Sequence, residues 1–159
     1  MPERFPLNLP PADLHFRKYG GEIQVYDRIR RKYVAATPEE IVRQHFVEWL
    51  INGLKYPETH IANEVGLKYN DMTRRADTII ADCEGSPLMV VEYKAPTVRI
   101  TQDVFDQIAR YNSVFHARYV VVSNGINHYC CKMRPDSMDY DFIRNIPDYQ
   151  SISFPFSEN

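Results

Sequence analysis

Two neighbouring stretches within the segment from Arg75 to Lys94 alternate between apolar and polar residues. Such period-two alternation is typical of half-buried β-strands, whose successive side chains point to opposite faces. The segment Cys83–Ser86 between them has the composition of a hairpin loop. A symmetric antiparallel hairpin about Glu84-Gly85 pairs Ala81 with Leu88, Ile79 with Val90, and Asp77 with Glu92.

Asp77 and Glu92 are thus predicted to oppose each other on one face of this hairpin. Two carboxylates in directly opposed positions repel and destabilise a sheet. A divalent cation between them converts that repulsion into coordination, and Lys94 lies one step further along the same face. Surface ion pairs of Glu92 with Lys94 and of Asp77 with Arg75 would explain the same residue types without a metal.

Two amphipathic helices are predicted, one before and one after the hairpin. Thr37-Pro38-Glu39-Glu40 starts the first, with Thr as N-cap, Pro at the first helical position and Glu at the capping-box position. Gly53 suits its C-terminal end, and His45 on its apolar face is interpreted as a packed, hydrogen-bonded residue. Thr101 is expected to cap the second helix. The residues expected to be mostly buried are Phe46, Trp49, Leu50, Val90, Ile108, Tyr111, Val120 and Val122.

The strands that follow the first helix differ in their patterns. Tyr119–Ser123 is continuously apolar, which indicates a strand buried on both faces. Because it follows the strand at 88–94 through a helix, a right-handed crossover should place it parallel to that strand. A short strand is expected within Ile61 to Tyr69, and Asn127 to Met133 is predicted to add an antiparallel strand.

The two ends of the chain are less regular. Residues 1–16 contain four prolines and are predicted to be irregular and strapped over the surface. Glu22 to Asp27 and Lys32 to Ala36 are predicted to form an N-terminal hairpin, and the tail after Pro135 is poorly periodic. The core order is therefore helix, strand, strand, strand, helix, strand, in a single domain of residues 1–159 with its core at about 37–125.

Composition agrees with a cytoplasmic globular domain. Hydrophobic residues make up 44% of the chain and charged residues 25%, which is ordinary for such proteins. No apolar run approaches the ~18 residues of a membrane span, and the N-terminus lacks a signal-peptide layout. The three cysteines Cys83, Cys130 and Cys131 have no zinc-site spacing, and they indicate a reducing compartment.

Charge is unevenly distributed although the net charge is only −2. Residues 1–36 carry seven Lys/Arg against four Asp/Glu, whereas the chain from Pro135 onward carries five acids and one Arg. The run Arg28-Ile29-Arg30-Arg31-Lys32 is dense enough to hold phosphates. A solvated hairpin tip explains the same run equally well.

Three motifs together resemble a known nuclease superfamily. Asp77, Glu92-x-Lys94 and Gln107-x-x-x-Tyr111 are similar to the PD-(D/E)xK superfamily, in the variant with a Q-x-x-x-Y helix motif. More narrowly, three segments resemble the N-terminal nuclease domain of type I restriction enzyme R subunits. They are Arg75-x-Asp77, Val91-Glu92-Tyr93-Lys94-Ala95-Pro96 and Ser123-Asn124-Gly125. The likeness runs from about Thr37 to Gly125. It implies an α/β restriction-endonuclease-like fold with an αβββαβ core, a mixed central sheet flanked by helices, and here an extra N-terminal β-hairpin.

The resemblance also implies a role for each matching residue. It implies Asp77 and Glu92 as metal-binding acids with the Tyr93 carbonyl as a backbone ligand, Lys94 as the residue that positions the attacking water, and Gln107 and Tyr111 as the pair that braces the site and touches substrate. Glu64 resembles the additional upstream acid of many members, and Glu48 on the first helix competes for that role.

The implied activity is Mg²⁺- or Mn²⁺-dependent endonucleolytic hydrolysis of DNA phosphodiester bonds. The chain has no G-x-x-x-x-G-K-[ST] phosphate loop, so the expected partners besides DNA are a separate motor or specificity protein, or further copies of this chain, and no membrane. The alternative is a non-cleaving DNA-binding or partner-docking module with the same fold. The residues expected to contact DNA are Arg74, Arg75, Arg28, Arg30, Arg31 and Lys32.

Overall fold

A computed structural model describes residues 6–69, 72–135 and 139–152 of the chain; its side-chain description omits residues 67–69, 72–74 and 111. Arg74 and Tyr111, both assigned to the site above, therefore have side chains outside the described part. The strands are β1 (Phe16–Tyr19), β2 (Glu22–Asp27), β3 (Lys32–Ala35), β4 (Ile61–Tyr69), β5 (Met72–Ala81), β6 (Pro87–Tyr93), β7 (Tyr119–Ser123), β8 (His128–Met133) and β9 (Tyr140–Ile143). The helices are α1 (Pro38–Asn52), α2 (Gln102–Phe115) and the short α3 (Tyr149–Ile152), and a 3₁₀ turn spans Glu58–His60.

The strands form two sheets, which makes the chain a mixed α/β protein. A six-stranded sheet has the order β4-β5-β6-β7-β8-β9, and β1, β2 and β3 form a separate antiparallel sheet. β6 and β7 are parallel, as the crossover through α2 predicted, and the other neighbouring strands of the large sheet are antiparallel. The predicted order of helix, strand, strand, strand, helix, strand is confirmed by α1, β4, β5, β6, α2 and β7.

Helices pack on both faces of the large sheet. The face toward α1 contains the main hydrophobic cluster, and the face toward α2 contains a second one. Of the residues expected in the core, six are at most 5% exposed: Phe46, Leu50, Val90, Ile108, Val120 and Val122. Trp49 was expected in the core but is only half-buried. Its ring packs edge-to-face against that of Phe46, with the ring centroids 5.3 Å apart.

The local signals at the helix ends are confirmed in part. The Thr37 hydroxyl accepts the Glu40 N–H at 3.1 Å, which confirms the predicted N-cap. Thr101 precedes α2 but its side chain makes no capping hydrogen bond. Gly53 ends α1 with a right-handed backbone, and a Cβ there would lie 2.6 Å from Trp49 Cδ1. His45 is half-buried, with its Nδ1 2.9 Å from the Ile41 carbonyl, as expected.

The central hairpin has the predicted register in its middle, but its regular pairing ends at Thr78 and Val91, so the predicted pairing of Asp77 with Glu92 is not formed. Ile79 pairs with Val90, as predicted. A bulge after Ile80 makes Ala81 pair with Pro87, so the predicted pairing of Ala81 with Leu88 is wrong.

The loop of this hairpin explains the shift. The carboxylate of Asp82 accepts the N–H groups of Glu84 and Ser86, each at 2.9 Å. The backbone N–H of Asp82 donates to the Ser86 carbonyl at 2.8 Å. These local bonds stabilise a longer, asymmetric loop than the symmetric turn that strand alternation alone favours.

Four short elements were not predicted: β1, β9, α3 and the 3₁₀ turn at Glu58–His60. All four residues of β1 are exposed, and β9, at the edge of the sheet, has two half-buried and two exposed residues. A four-residue strand with few buried positions has too little alternation to be recognised in its sequence.

Residues 6–15 form no helix or strand, as predicted, whereas Phe16 begins β1; the segment contacts the turn between β7 and β8. The Asn8 N–H donates to the Gly125 carbonyl at 2.8 Å, and His128 Nε2 donates to the Asn8 carbonyl at 2.7 Å. Leu9 packs against the main hydrophobic cluster. This segment therefore closes the core beside the turn that follows β7.

Gly125 should tolerate no side chain. Its φ is +86°, and an added Cβ would lie 2.7 Å from Leu7 Cδ2 and 3.1 Å from Val42 Cγ2. Gly85 has a similar φ of +83° but no neighbouring atom within 4 Å. Gly125→Ala should therefore lower the free energy of unfolding by about 1–3 kcal/mol more than Gly85→Ala does, because only the first overpacks the core. Urea denaturation of the two variants measures the difference, and equal decreases would show that the packing around Gly125 relaxes freely.

Candidate functional site

The strands β5 and β6 separate where the two predicted acids lie. Their regular pairing ends with Thr78 opposite Val91, one residue short of Asp77 and Glu92. Asp77 Oδ2 accepts the Tyr93 backbone N–H at 2.9 Å, and a hydrogen bond links the carboxyl groups of Asp77 and Glu92. The structure therefore brings both acids to one point, as the hairpin pattern predicted.

The pKa values of both acids are raised above their ordinary values. Burial raises the pKa of Asp77, against the effect of the Tyr93 N–H. Burial and the neighbouring Asp77 charge raise the pKa of Glu92 to about 8. Two carboxyl groups in contact disfavour carrying negative charge at the same time, and burial strengthens this effect.

Lys94 lies beside the acid pair. Its Nζ is 4.0 Å from Glu92 Oε1, and its side chain is 31% exposed. Its backbone N–H donates to the Ser123 carbonyl at 2.8 Å, which fixes the chain just after β6 against β7. The lysine is thus close enough for its charge to lower the pKa of Glu92, yet accessible from solvent.

Glu64 is the upstream acid that lies near the pair. Its backbone has a φ of +58°. In the pairing of β4 with β5, Asn63 pairs with Thr78 and Val65 pairs with Ala76, so Glu64 and Asp77 are both skipped. The negative charge of Glu64 raises the pKa of Asp77. By contrast, Glu48 is bound to Arg28 at 2.9 Å.

Arginines occupy both oxygens of Glu64. Oε1 is bound by Arg43, and Oε2 lies 3.2 Å from Arg75. Among residues 6–69, 72–135 and 139–152, no three His, Cys, Asp or Glu side chains are grouped as a metal cluster. In this structure the acid pair, rather than a triad, is the candidate centre.

The residues of the predicted helix motif lie on α2. Gln107 is on the exposed side of this helix, one turn before Tyr111. Val122 pairs with Glu92 across the parallel strands and packs in the cluster that α2 covers, so Glu92 lies on the α2 face of the sheet.

The basic run forms the turn between β2 and β3, packed against the α1 side. Arg28 is bound to Glu48 and Glu58, both at 2.9 Å. Arg30 is bound to Asp27 and Glu40 and is 18% exposed. These two arginines are held within the fold by acids of other elements. Among the members of the predicted DNA-contacting set whose side chains are described, the exposed ones are Arg31, Lys32 and Arg75.

Arg43 is a residue of the site that the sequence patterns did not reveal. It lies on α1 and is 7% exposed. Its Nη1 donates to the Asp77 backbone carbonyl at 2.7 Å, and its Nη2 donates to Glu64. An arginine on the buried face of an amphipathic helix breaks the apolar pattern, and that break was the available signal.

These features define a class: a mixed α/β domain whose central sheet carries a half-buried pair of acids with a lysine beside it. The chain belongs to the family described as the type I restriction enzyme R protein N-terminus, whose model matches residues 38–147. No curated protein matches the chain. Within the described ranges, every helix is too short or too polar to cross a membrane.

Proposed function

We propose that this domain is a Mg²⁺-dependent nuclease that hydrolyses DNA phosphodiester bonds, with a restriction-endonuclease-like core of the PD-(D/E)xK type. The observation that carries the proposal is the contact between the half-buried carboxyl groups of Asp77 and Glu92, joined by a hydrogen bond, with Lys94 4.0 Å from Glu92. A purely structural ion pair does not need a second acid in contact with the first. The family described for residues 38–147 supports a nuclease-like domain that works with DNA and partner subunits.

The donor set fits a hard divalent cation. Asp77 and Glu92 supply carboxylate oxygens, and Mg²⁺ is commonly bound by one or two carboxylates with several waters retained. In an antiparallel strand the N–H and C=O of a residue point to the same side. Because the Tyr93 N–H points at Asp77, the Tyr93 carbonyl faces the same gap and completes the set. When bound, the cation would supply an activated water and neutralise charge on the phosphate.

The remaining residues would act on the substrate. Lys94 places a positive charge where the attacked phosphate gains negative charge, and its ammonium group can orient the attacking water. Asp77 is held by the Tyr93 N–H, so its carboxylate keeps one orientation. The resemblance gives Gln107 and Tyr111 the role of bracing the site, and both positions lie on α2.

Calorimetry with Mn²⁺ and Mg²⁺ tests the proposal most directly. Asp77→Asn should abolish measurable metal binding and metal-dependent cleavage of plasmid DNA, because it removes one of two carboxylate ligands. The matched control is Asp82→Asn, which changes a buried carboxylate in the distal hairpin loop. Metal binding that survives Asp77→Asn would favour the non-cleaving DNA-binding or partner-docking module instead.

The exposed basic residues should contribute affinity for the DNA backbone without sequence preference. Replacing Arg31 and Lys32 together by Ala should flatten the dependence of log K on log salt by roughly 0.9 for each phosphate that is no longer neutralised, because fewer counterions are released. A fluorescence titration of a labelled duplex in Ca²⁺, chosen to limit cleavage, measures the slope. The control with the same change of charge replaces Lys132 and Arg144, which are exposed on and after the distant strands β8 and β9. Equal slopes in the two double variants would remove the basic turn from the DNA-contacting surface.

A further inference from the structure

Arg43 is enclosed by acceptors from three different elements. Its Nη1 reaches the Asp77 carbonyl on β5, and its Nη2 reaches the carboxylate of Glu64 on β4. Its Nε lies 2.9 Å from Glu40 Oε2 on α1, although the N–H is not aligned for a hydrogen bond. The planar fork of a guanidinium can hold several acceptors at fixed mutual positions, which the single ammonium of lysine cannot do. The buried arginine is therefore placed to fix β4 and β5 relative to α1.

The backbone at Asp77 needs such support. The pairing of β5 with β4 skips Asp77. The pairing of β5 with β6 ends at Thr78 and Val91, so it does not reach Asp77. A buried carbonyl without a partner is costly, and here Arg43 supplies the donor at 2.7 Å. The arginine thus replaces the missing strand partner of the residue whose carboxylate lies in the acid pair.

The β2–β3 turn holds Arg43 in turn. Arg30 bridges the Asp27 carboxylate and Glu40, and Glu40 also contacts Arg43 and accepts from Gln44 at 3.1 Å. Because Glu40 lies between two arginines, its position depends on both. A shift of the β2–β3 turn should therefore move Glu40 and, through it, Arg43.

A second series of hydrogen bonds runs from the same turn to the other strand of the site. Asn63 Nδ2 donates to Asp27 at 3.0 Å, and Thr78 Oγ1 donates to Asn63 Oδ1 at 2.7 Å. The Tyr93 hydroxyl donates to Thr78 Oγ1 at 2.9 Å. Thr78 follows Asp77 in the chain, and Tyr93 follows Glu92. The first series therefore ends at the Asp77 carbonyl, and the second ends at the two residues that directly follow the acids in the chain.

We infer that Arg43 is the positioning residue of the acid pair, and that the β2–β3 turn, which precedes the matched residues 38–147, holds it in place through Arg30 and Glu40. This inference rests on the proposed metal-dependent function and deepens it. It assigns Glu64 the role of holding Arg43 rather than of a direct metal ligand. It also gives part of the basic run a role inside the fold, in place of a grip on DNA.

The first test measures Mn²⁺ affinity by calorimetry alongside thermal stability. Arg43→Gln should weaken Mn²⁺ binding by roughly 10–100-fold, the usual effect of removing a residue that orients a ligand. The matched control is Arg28→Gln, because Arg28 also bridges two acids, Glu48 and Glu58, yet contacts neither Asp77 nor Glu92. Equal Mn²⁺ affinity in the two variants would overturn the inference.

Arg43→Lys keeps the measurement possible if Arg43→Gln does not fold. Lysine retains the charge but cannot bridge Asp77 and Glu64 in fixed geometry, so Mn²⁺ affinity should still fall well below that of Arg28→Gln. Arg30→Gln should lower Mn²⁺ affinity in the same direction, because it releases Glu40. A wild-type affinity in both Arg43→Lys and Arg30→Gln would show that charge and packing alone suffice, and would overturn the role of the bridge.

A double-mutant cycle separates the two roles of Glu64. If Glu64 acts through Arg43, adding Glu64→Gln to an Arg43 variant should leave Mn²⁺ affinity unchanged. Decreases in affinity that add fully would show that Glu64 binds the metal independently, which contradicts the inference. Asp77→Asn distinguishes failure of the proposed function from failure of the inference about Arg43. If it leaves Mn²⁺ binding intact, the proposed function fails and the inference with it; if it abolishes binding while Arg43→Gln matches Arg28→Gln, only the inference fails.

Discussion

Glu92→Gln should stabilise the metal-free domain and remove its response to Mg²⁺. The pKa of Glu92 is raised to about 8 from an ordinary 4.5, mainly by burial and then by Asp77. The native state therefore retains a proton that the unfolded chain loses, and wild-type stability falls as pH rises from about 4.5 to about 8. Glutamine carries no such cost, so at pH 8 the variant should gain on the order of a few kcal/mol in free energy of unfolding.

Thermal and urea denaturation at pH 5 and pH 8, with and without Mg²⁺, measure this result. At pH 8, Mg²⁺ at a hundredfold excess over Kd should raise the free energy of unfolding of the wild type by about 2.7 kcal/mol. The free energy of unfolding of Glu92→Gln should not change with Mg²⁺. Glu58→Gln is the control of opposite sign. Arg28 lowers the pKa of Glu58, so its contribution is present above pH 4.5 and disappears as pH falls. A Glu92→Gln variant that is destabilised at pH 8 would mean that Glu92 serves mainly as an ion-pair partner of Lys94.

Lys94→Gln should abolish most cleavage while leaving metal affinity nearly intact. Removing a positive group that stabilises developing charge typically lowers kcat by about 10²–10³-fold. KM should change little, because the interaction strengthens only in the transition state. Loss of the lysine charge should also raise the pKa of Glu92 further, since that charge lowers it.

Steady-state cleavage of a labelled duplex across pH, at saturating Mg²⁺, provides the measurement. Lys132→Gln on β8 is the control, because it removes an exposed lysine of the large sheet away from the acid pair. If Lys94→Gln lowers Mg²⁺ affinity and leaves kcat unchanged at saturation, the lysine serves metal binding rather than the chemical step.

Local patterns allowed a correct prediction of the elements around the site. The capping signals at Thr37 and the alternation through Ile79 and Val90 depend on residues within a few positions, so they are legible in one sequence. The loop register was wrong at Ala81 because the Asp82 side chain stabilises a bulged, longer loop. That competition between side chain and backbone is not visible in the hydrophobic pattern.

The ion pairs of the basic run are contacts that composition alone could not indicate. The density of the run predicts a surface for phosphates, and Arg31 and Lys32 keep that option. Arg28 and Arg30 are instead bound to acids on α1 and on the 3₁₀ turn. Their partners lie 10 to 30 residues further along the chain, so only the packing of the hairpin against α1 could reveal them.

What the sequence by itself determined is the order of the core elements and the face on which Asp77, Glu92 and Lys94 lie, because strand periodicity is a local property of the backbone. The tertiary structure decided how those side chains are held. Arg43 meets Asp77 across 34 positions and Glu64 across 21, and burial, not residue type, raises the pKa values of the acid pair. Contacts between distant segments and the removal of water from around a carboxylate exist only once the helices and sheets have packed together.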